Sequence, residues 1–347
     1  MKKLSKKKKI VIGISLVIVL FMVIPMTITI AIYEMNFGQR SETEYIKYEM
    51  NSFENLERTE IKFKSNNGQV LAGYIYNGKN NIKVKSIIVL AHGFGGGHNS
   101  YIPEIDYMVQ HGYTVFTYDC TGTDESEGKS VVGLPQGIID LDYALKYVES
   151  NDDLRNLPIM LYGHSWGGYS VCSELNYNHK IKGVVERSGF NESDNIIVEQ
   201  GSRMYGSAIK LLSPYIKLYE RIKFGDVAKL NSLDGLKKTD ANVMLMHSSD
   251  DTTVSYENNF QLYEDKLKNK PNLKFVPLTE HGHDVIIDSK FERMISNGRK
   301  ELINKYGLKK NIPESEIQVF DQMVNKEENK INIELMDEII GFYDEQV

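Results

Sequence analysis

The stretch Gly163-His164-Ser165-Trp166-Gly167 is the most informative part of this 347-residue chain. An apolar run, 159–162, precedes it, and a run compatible with a helix, 168–175, follows it. A G-x-S-x-G pattern between a strand and a helix is typical of a sharp turn that holds the serine hydroxyl clear of the backbone. Glycine suits the flanking positions because the turn is too tight for larger side chains. The pattern therefore predicts Ser165 as a nucleophile.

Short apolar runs alternate with amphipathic runs on both sides of this turn. Strands are predicted at 86–91, 113–118, 158–162, 181–186, 243–247 and 273–277, after a hairpin of 60–65 and 70–76. Helices are predicted at 103–110, 134–149 and 256–267. Apolar strands that alternate with amphipathic helices indicate an α/β fold, with a mostly parallel central sheet covered by helices on both faces.

Two regions depart from this alternation. Residues 191–240 contain no good strand, and their apolar positions have helical spacing, which predicts a small helical lid inserted before the next strand. Residues 290–347 are helical in pattern and highly charged, and they form a C-terminal extension longer than one closing helix requires. We therefore expect one domain, 60–347, that contains both additions.

The N-terminus has the pattern of a membrane anchor. Lysines dominate residues 1–9, and residues 10–33 carry no charge, a length that at about 1.5 Å per residue crosses a hydrocarbon core of about 30 Å. The positive-inside rule predicts that the lysines stay in the cytoplasm, that 34–59 form a stalk, and that the domain lies outside the cell membrane. There are two alternatives for residues 10–33: a signal peptide that is cleaved on secretion, and a buried core helix.

Bulk composition excludes several classes of protein. The net charge of −6 does not favour a nucleic-acid-binding protein. The chain has only two cysteines, Cys120 and Cys172, which excludes a disulfide scaffold.

The glycine-rich stretch His92-Gly93-Phe94-Gly95-Gly96-Gly97 follows the predicted strand 86–91. Such a loop lets backbone N–H groups turn toward a reacting oxygen. We expect the N–H of Phe94 and the N–H of Trp166 to form an oxyanion hole, and His92 to be a structural residue of the loop. A phosphate-binding loop is disfavoured because no Gly-Lys-Ser/Thr follows.

A carboxylate and a histidine are expected downstream of the serine. Asp250 and Asp251 follow the strand 243–247; Asp251 is the favoured acid, with Asp250 second and Glu186 third. The favoured base is His283, which follows the last predicted strand, and His281 is the alternative. His281 and His283 are close enough in the sequence to suggest a metal site. We disfavour that interpretation because no third ligand has suitable spacing.

These motifs resemble those of the α/β-hydrolase superfamily, over about residues 60–290. The nearest resemblance is to the bacterial serine hydrolases that include monoacylglycerol-lipase-like, serine-aminopeptidase-like and prolyl-oligopeptidase-like proteins. It rests on the glycine-rich loop, the Ser165 turn, the order Ser165, Asp251, His283, and the loop 119–128, in which Asp124 replaces a glycine of the family pattern. Near the acid, Asp251 and Val254 match the family pattern, whereas Ser248 and Ser255 replace its glycine and proline.

The predicted activity is hydrolysis of a carboxylic ester through a Ser-His-Asp triad and an acyl-enzyme, with no cofactor and no metal. The expected partners are a small acyl ester or peptide substrate and the membrane, with no nucleic acid. The alternatives are an amidase or peptidase, in which Glu186 and Glu192 would hold a substrate amine, and acyl transfer. A non-catalytic tethered binding protein is a remote alternative, because all three triad residue types are present in order.

Overall fold

The structure is a computed structural model, and it describes residues 5–43, 48, 50–79, 83–307, 311–326 and 330–347. The strands are β1 (Leu56–Lys64), β2 (Val70–Gly78), β3 (Ser86–Ala91), β4 (Tyr113–Tyr118), β5 (Ile159–His164), β6 (Ile181–Arg187), β7 (Asn242–Ser248) and β8 (Leu273–Leu278). The helices are α1 (Lys6–Ile18), α2 (Ile24–Phe37), α3 (Ile102–Gln110), α4 (Gln136–Ser150), α5 (Trp166–Glu174), α6 (Ser193–Tyr205), α7 (Ser213–Phe224), α8 (Ser232–Lys238), α9 (Phe260–Leu267), α10 (Ser289–Tyr306), α11 (Glu314–Lys326) and α12 (Ile333–Asp344).

The strands form one sheet in the order β1-β2-β4-β3-β5-β6-β7-β8. The pairs β1–β2 and β2–β4 are antiparallel, and the remaining pairs are parallel. Every residue of β3, β4 and β5 is buried, as expected for central strands with helices on both faces. This architecture confirms the predicted α/β-hydrolase fold.

Two apolar layers cover the sheet. On one face, α4 contributes the side chains predicted from its helical spacing, and all of these are fully buried: Ile138, Leu141, Leu145 and Val148. On the other face, the closing helix α12 packs beside α3, and the Tyr343 hydroxyl donates to the Leu161 carbonyl of β5 at 2.6 Å. Helices therefore cover both faces of the sheet.

The N-terminal helix is continuous from Lys6 to Phe37, because a π-helical segment, Val19–Val23, joins α1 to α2. Its 32 residues are long and apolar enough to cross a membrane, by length and composition. Residues 10–24 are exposed along their whole length, whereas Thr29, Tyr33 and Phe37 are buried against the domain. The predicted span of 10–33 thus includes a part of the helix that packs on protein.

Within the predicted stalk, 34–59, the residues that the structure describes make contacts with the domain; 44–47 and 49 lie outside the described residues. After α2, the Arg40 guanidinium donates to the carbonyls of Ser126 at 2.9 Å and Gly128 at 2.7 Å. Tyr48 is buried, and β1 begins at Leu56, four residues before the predicted start. The segment after α2 is mostly polar, and its Arg40 side chain binds backbone carbonyls of the loop after β4. No local sequence pattern predicts such a contact.

The lid region is helical, as its spacing predicts. It consists of α6, a 3₁₀ segment at Ser207–Leu212, α7 and a second 3₁₀ segment at Gly225–Lys229. The last helix of the predicted region, α8, instead packs tightly on α5: a Cβ on Gly235 would lie 2.0 Å from the Cys172 carbonyl oxygen. Both cysteines are buried and free.

Candidate active site

Ser165 lies between β5 and α5, with φ 55° and ψ −112°. A positive φ outside glycine costs about 1–3 kcal/mol, so surrounding packing must enforce it. A Cβ on Gly163 would lie 2.3 Å from the Gly167 carbonyl oxygen, and a Cβ on Gly167 would lie 1.9 Å from the carbonyl oxygen of Ala91 in β3. The two glycines therefore allow the close approach of β5, α5 and β3 that holds Ser165 in this conformation.

Asp251 and His283 form a direct hydrogen bond, with 2.8 Å between Oδ2 of Asp251 and Nδ1 of His283. The other carboxylate oxygen accepts the backbone N–H groups of Thr253 at 2.7 Å and Val254 at 3.0 Å. Burial favours the neutral carboxyl, but hydrogen bonds from His247 and His283 outweigh it and hold the pKa of Asp251 well below its usual range. Asp251 is therefore an ionised acceptor held in a fixed orientation.

His247 is a second imidazole partner of the same carboxylate, which the sequence analysis missed. Its Nε2 lies 3.0 Å from Oδ2 of Asp251, and the side chain is almost fully buried. His247 lies in β7, four residues before Asp251, so the only signal available from sequence was its place at the end of a strand next to the acid.

The three alternative residues lie elsewhere. Asp250 accepts the Ser248 hydroxyl and the Gly282 N–H, which lies 3.2 Å away, so it joins two loops and does not contact His283. Glu186 is buried and accepts the backbone N–H of Gly189, and burial raises its pKa to about 7. The exposed ring of His281 contacts the Thr279 carbonyl at 2.6 Å.

The glycine-rich loop is fixed by its own histidine and by a tyrosine. Nδ1 of His92 lies 2.8 Å from the Gly93 carbonyl, while Nε2 accepts the Cys120 N–H at 3.0 Å, an arrangement that suits a neutral structural imidazole. The Tyr101 hydroxyl accepts the Gly93 N–H at 2.8 Å. These contacts hold the backbone at Gly93, the residue before Phe94.

Beneath the His283 loop lies an ionic cluster that the sequence analysis also missed. The Arg187 guanidinium, at the end of β6 and fully buried, pairs with Glu104 of α3 at 2.8 Å and with Asp284 at 2.7 Å. Burial opposes ionisation of Asp284, but Arg187 and His164 outweigh it and lower its pKa. Arg187 therefore ties the residue next to His283 to the core of the domain.

Ser165, His283, Phe94 and Trp166 all line one pocket of about 630 Å³. Its walls come from the glycine-rich loop, from the lid helices α6 and α7 with the 3₁₀ segment between them, and from α2 of the N-terminal helix. The Phe94 ring contacts the Trp166 ring at a centroid distance of 5.8 Å and the Phe37 ring of α2 at 5.6 Å. The glycine-rich loop and the lid were expected from the sequence pattern, whereas the wall formed by α2 was not.

One group of side chains with the composition of a metal site lies apart from this pocket. Asp142, Glu174 and His179 place ligand-type atoms within 4.8 Å of one another. The His179 Nε2 contacts Asp142 at 3.0 Å and Glu174 at 3.3 Å, and its Nδ1 contacts Glu149 at 2.9 Å. The hydrogen bond with Asp142 raises the pKa of His179, so these carboxylates favour the charged form of the imidazole.

Comparisons with known proteins agree with this fold. The family model described as serine aminopeptidase, S33, matches residues 82–230. A monoglyceride lipase of Saccharomyces cerevisiae is 28% identical over 159 residues, which cover 44% of this chain and 49% of that protein. A proline iminopeptidase of Saccharolobus solfataricus is 28% identical over 156 residues, which cover 44% and 47%. The matched region thus spans about half the length of these curated relatives.

Among solved structures, an esterase of Pyrococcus furiosus superposes with a TM-score of 0.56 at 18% identity, covering 77% of this chain and 98% of that one. At that identity the likeness concerns the fold. The esterase, lipase and aminopeptidase relatives together support a hydrolase. The sheet order and these matches lead to the same conclusion: the chain belongs to the α/β-hydrolase superfamily.

Proposed function

We propose that this protein is a membrane-anchored serine hydrolase that cleaves carboxylic esters through an acyl-enzyme. Ser165 is the nucleophile, His283 the general base and Asp251 the acid that orients it. The observation that carries the proposal is that Ser165, on its strained turn, and His283, bound to Asp251, line the same pocket. A serine hydroxyl and a carboxylate-oriented imidazole that face the same chamber are the parts that a serine hydrolase triad needs.

In the proposed reaction, His283 accepts the Ser165 proton as the hydroxyl oxygen attacks the acyl carbonyl carbon. Asp251 fixes the proton on Nδ1 and stabilises the imidazolium that forms. The imidazolium then protonates the leaving alkoxide. Water, deprotonated by the same imidazole, attacks the acyl carbonyl carbon, and the imidazolium returns that proton to the Ser165 oxygen as the acid leaves. The backbone N–H groups of Phe94 and Trp166 stabilise the oxyanion, and one such donor contributes about 3 kcal/mol to the transition state.

Hydrolysis of an ester is favoured over cleavage of an N-terminal peptide bond. An aminopeptidase needs a carboxylate in the pocket to hold the substrate amine. Glu186 and Glu192, the expected candidates, do not line the pocket. The carboxylates that do line it, Glu104 and Asp284, are both paired with Arg187. The described part of the pocket therefore suits a neutral acyl group better than an ammonium group.

The proposed location follows from the N-terminal helix. The lysines of residues 1–9 would stay in the cytoplasm, the helix would cross the cell membrane, and the hydrolase domain would lie on the outer side. Cleavage after the helix is disfavoured by packing, because Tyr33 and Phe37 belong to the apolar core of the domain.

The test uses the full chain in detergent micelles, because removal of α2 would open the pocket. Turnover of p-nitrophenyl butyrate and labelling by a fluorophosphonate are measured for wild type and Ser165→Ala. We expect labelling to be lost and turnover to fall by at least about 10³-fold. His283→Gln should match Ser165→Ala in turnover, whereas the neighbouring control His281→Gln should match wild type. Labelling without ester turnover would favour a peptidase or amidase, and neither signal in folded protein would favour the non-catalytic alternative.

A further inference from the structure

The N-terminal helix takes part in the pocket itself. Thr29, Ile32, Tyr33 and Phe37 of α2 line the same cavity as Ser165. A helix that only tethered the domain would not need buried contacts with the chamber that holds the nucleophile.

The contacts between this helix and the lid are polar as well as apolar. The Tyr33 hydroxyl donates to the buried Glu220 carboxyl of α7 at 3.1 Å. Glu34 accepts the Tyr219 hydroxyl at 2.7 Å and the Lys223 ammonium at 2.6 Å. These bonds fix the lid to the outer end of the helix, so the helix and lid form one wall.

The exposed part of the helix is too short to cross a membrane by itself. The side chains of residues 10–24 are exposed, and at about 1.5 Å per residue this stretch extends about 22 Å. A hydrocarbon core of about 30 Å requires roughly five more residues, which reaches Thr29. These additional residues lie beside the lid. If the helix spans the bilayer, the lid must therefore enter the outer leaflet by about 8 Å. Interfacial helices are usually buried to a similar depth, about 5–10 Å.

A hydrogen bond deep on the helix agrees with this placement. Pro25 lacks the N–H that would bond to the Phe21 carbonyl in a regular helix. The Tyr215 hydroxyl of α7 donates to that carbonyl. Backbone carbonyls that lie at membrane depth need a partner within the protein. The lid supplies that partner well inside the apolar part of the helix.

The outer surface of the lid has the chemistry of a membrane-contacting surface. Three large apolar side chains outside the pocket lining are at least half exposed there: Leu211, Leu218 and Ile222. The lid, residues 193–229, carries six basic and four acidic side chains, although the whole chain has a net charge of −6. An exposed apolar patch with a basic surround suits a bilayer that contains anionic lipid.

We infer that α2 forms the acyl-binding wall of the pocket and that the lid lies in the outer leaflet, so that the substrate is an ester with a long acyl chain taken directly from that leaflet. The inference rests on the proposed ester hydrolysis and membrane anchoring. The acyl chain passes from the bilayer along Ile32 and Phe37 to the carbonyl position at Ser165, without crossing water.

The test compares two esters with the same leaving group. Full-length protein is reconstituted in vesicles of phosphatidylcholine and phosphatidylglycerol, and the turnover of p-nitrophenyl palmitate in the bilayer is divided by that of soluble p-nitrophenyl butyrate. Ile32→Trp fills the proposed acyl wall and should lower this ratio by about ten-fold. The matched control, Ile30→Trp, lies on the exposed side of the same helix, outside the pocket, and should leave the ratio unchanged. If Ile32→Trp does not bind a fluorophosphonate, Ile32→Phe replaces it.

Lid depth is measured independently. Cys120 and Cys172 are buried, so an environment-sensitive fluorophore attached to Leu211→Cys reports on the lid. Its emission should shift to the blue on reconstitution, whereas the same label on Val319→Cys, an exposed position of α11, should not shift.

Each negative result has a separate meaning. Equal ratios in the Ile32 and Ile30 variants would overturn the acyl wall, and an unshifted label at position 211 would overturn lid immersion. Wild-type protein that turns over neither ester would instead refute the proposed function on which the inference rests.

Discussion

Replacement of Gly167 by alanine should damage the site through one backbone contact. The added Cβ would lie 1.9 Å from the Ala91 carbonyl oxygen and 3.0 Å from the His92 carbonyl oxygen. Non-bonded Cβ contacts shorter than 3.0 Å essentially do not occur, so α5 and the end of β3 must separate by at least 1.1 Å. The end of β3 leads directly into the loop of Phe94, so the shift would move one oxyanion donor away from Ser165.

A displacement of about 1 Å in a reacting group costs roughly 10²-fold in rate, and we expect that loss in kcat/KM for p-nitrophenyl butyrate. Overpacking costs about 1–3 kcal/mol, and the better helix propensity of alanine offsets about 0.5–1 kcal/mol of it. The variant should therefore remain folded with a lower Tm, measured by circular dichroism. Gly341→Ala, in the middle of α12 with open space around it, is the matched control and should keep its activity and gain stability. A Gly167→Ala protein with wild-type kcat/KM and Tm would refute the reasoning.

Three further predictions concern charged groups. Asp251→Asn should lower kcat by about 10³–10⁴-fold in the ester assay, whereas Asp250→Asn should change it little; equal effects would contradict the choice of acid. Burial raises the pKa of Glu220 to about 7, so the unfolded chain loses its proton first and wild type should lose about 3 kcal/mol of stability as the pH rises from about 4.5 to 7. Glu220→Gln should remove this loss, making the variant the more stable protein at pH 8 but not at pH 4 in urea unfolding; identical pH profiles would exclude the effect. Arg187→Met leaves the buried Glu104 and the partly buried Asp284 without their cation and should cost about 3–5 kcal/mol, seen as a much lower Tm; an unchanged Tm would mean that the cluster does not hold the loop.

The spacing of apolar residues was sufficient to predict the fold, because that spacing repeats every two residues in a strand and about every 3.6 residues in a helix. Strands β3 and β4 have the predicted ends, and others differ by one or two residues. The largest differences occur where side-chain pattern is weak: α9 begins at Phe260 rather than 256, and β1 begins at Leu56. Turns at 256–259 contain polar and aromatic residues that are compatible with either structure.

The candidate site likewise contains residues that local pattern predicts and residues that it does not. Ser165, Asp251 and His283 each lie just after a strand, a position that the local pattern reveals. Their catalytic roles remain predictions that the proposed experiments test. The contacts of His247 and Arg187 could not be predicted from local pattern. Each depends on which distant loop lies against the end of its strand, β7 or β6.

The sequence by itself determined the α/β architecture, the tight turn at Ser165 and the apolar length of the N-terminal helix. Each depends on residues that are neighbours along the chain, so spacing and side-chain type are enough. Only the tertiary structure decided that Asp251 receives two imidazoles, that residues 38–43 bind the loop after β4, and that Phe37 contacts Phe94. These contacts join residues far apart in the chain. They form because folding buries apolar surface and pairs polar groups, and the local sequence of a segment does not show which distant segment it will contact.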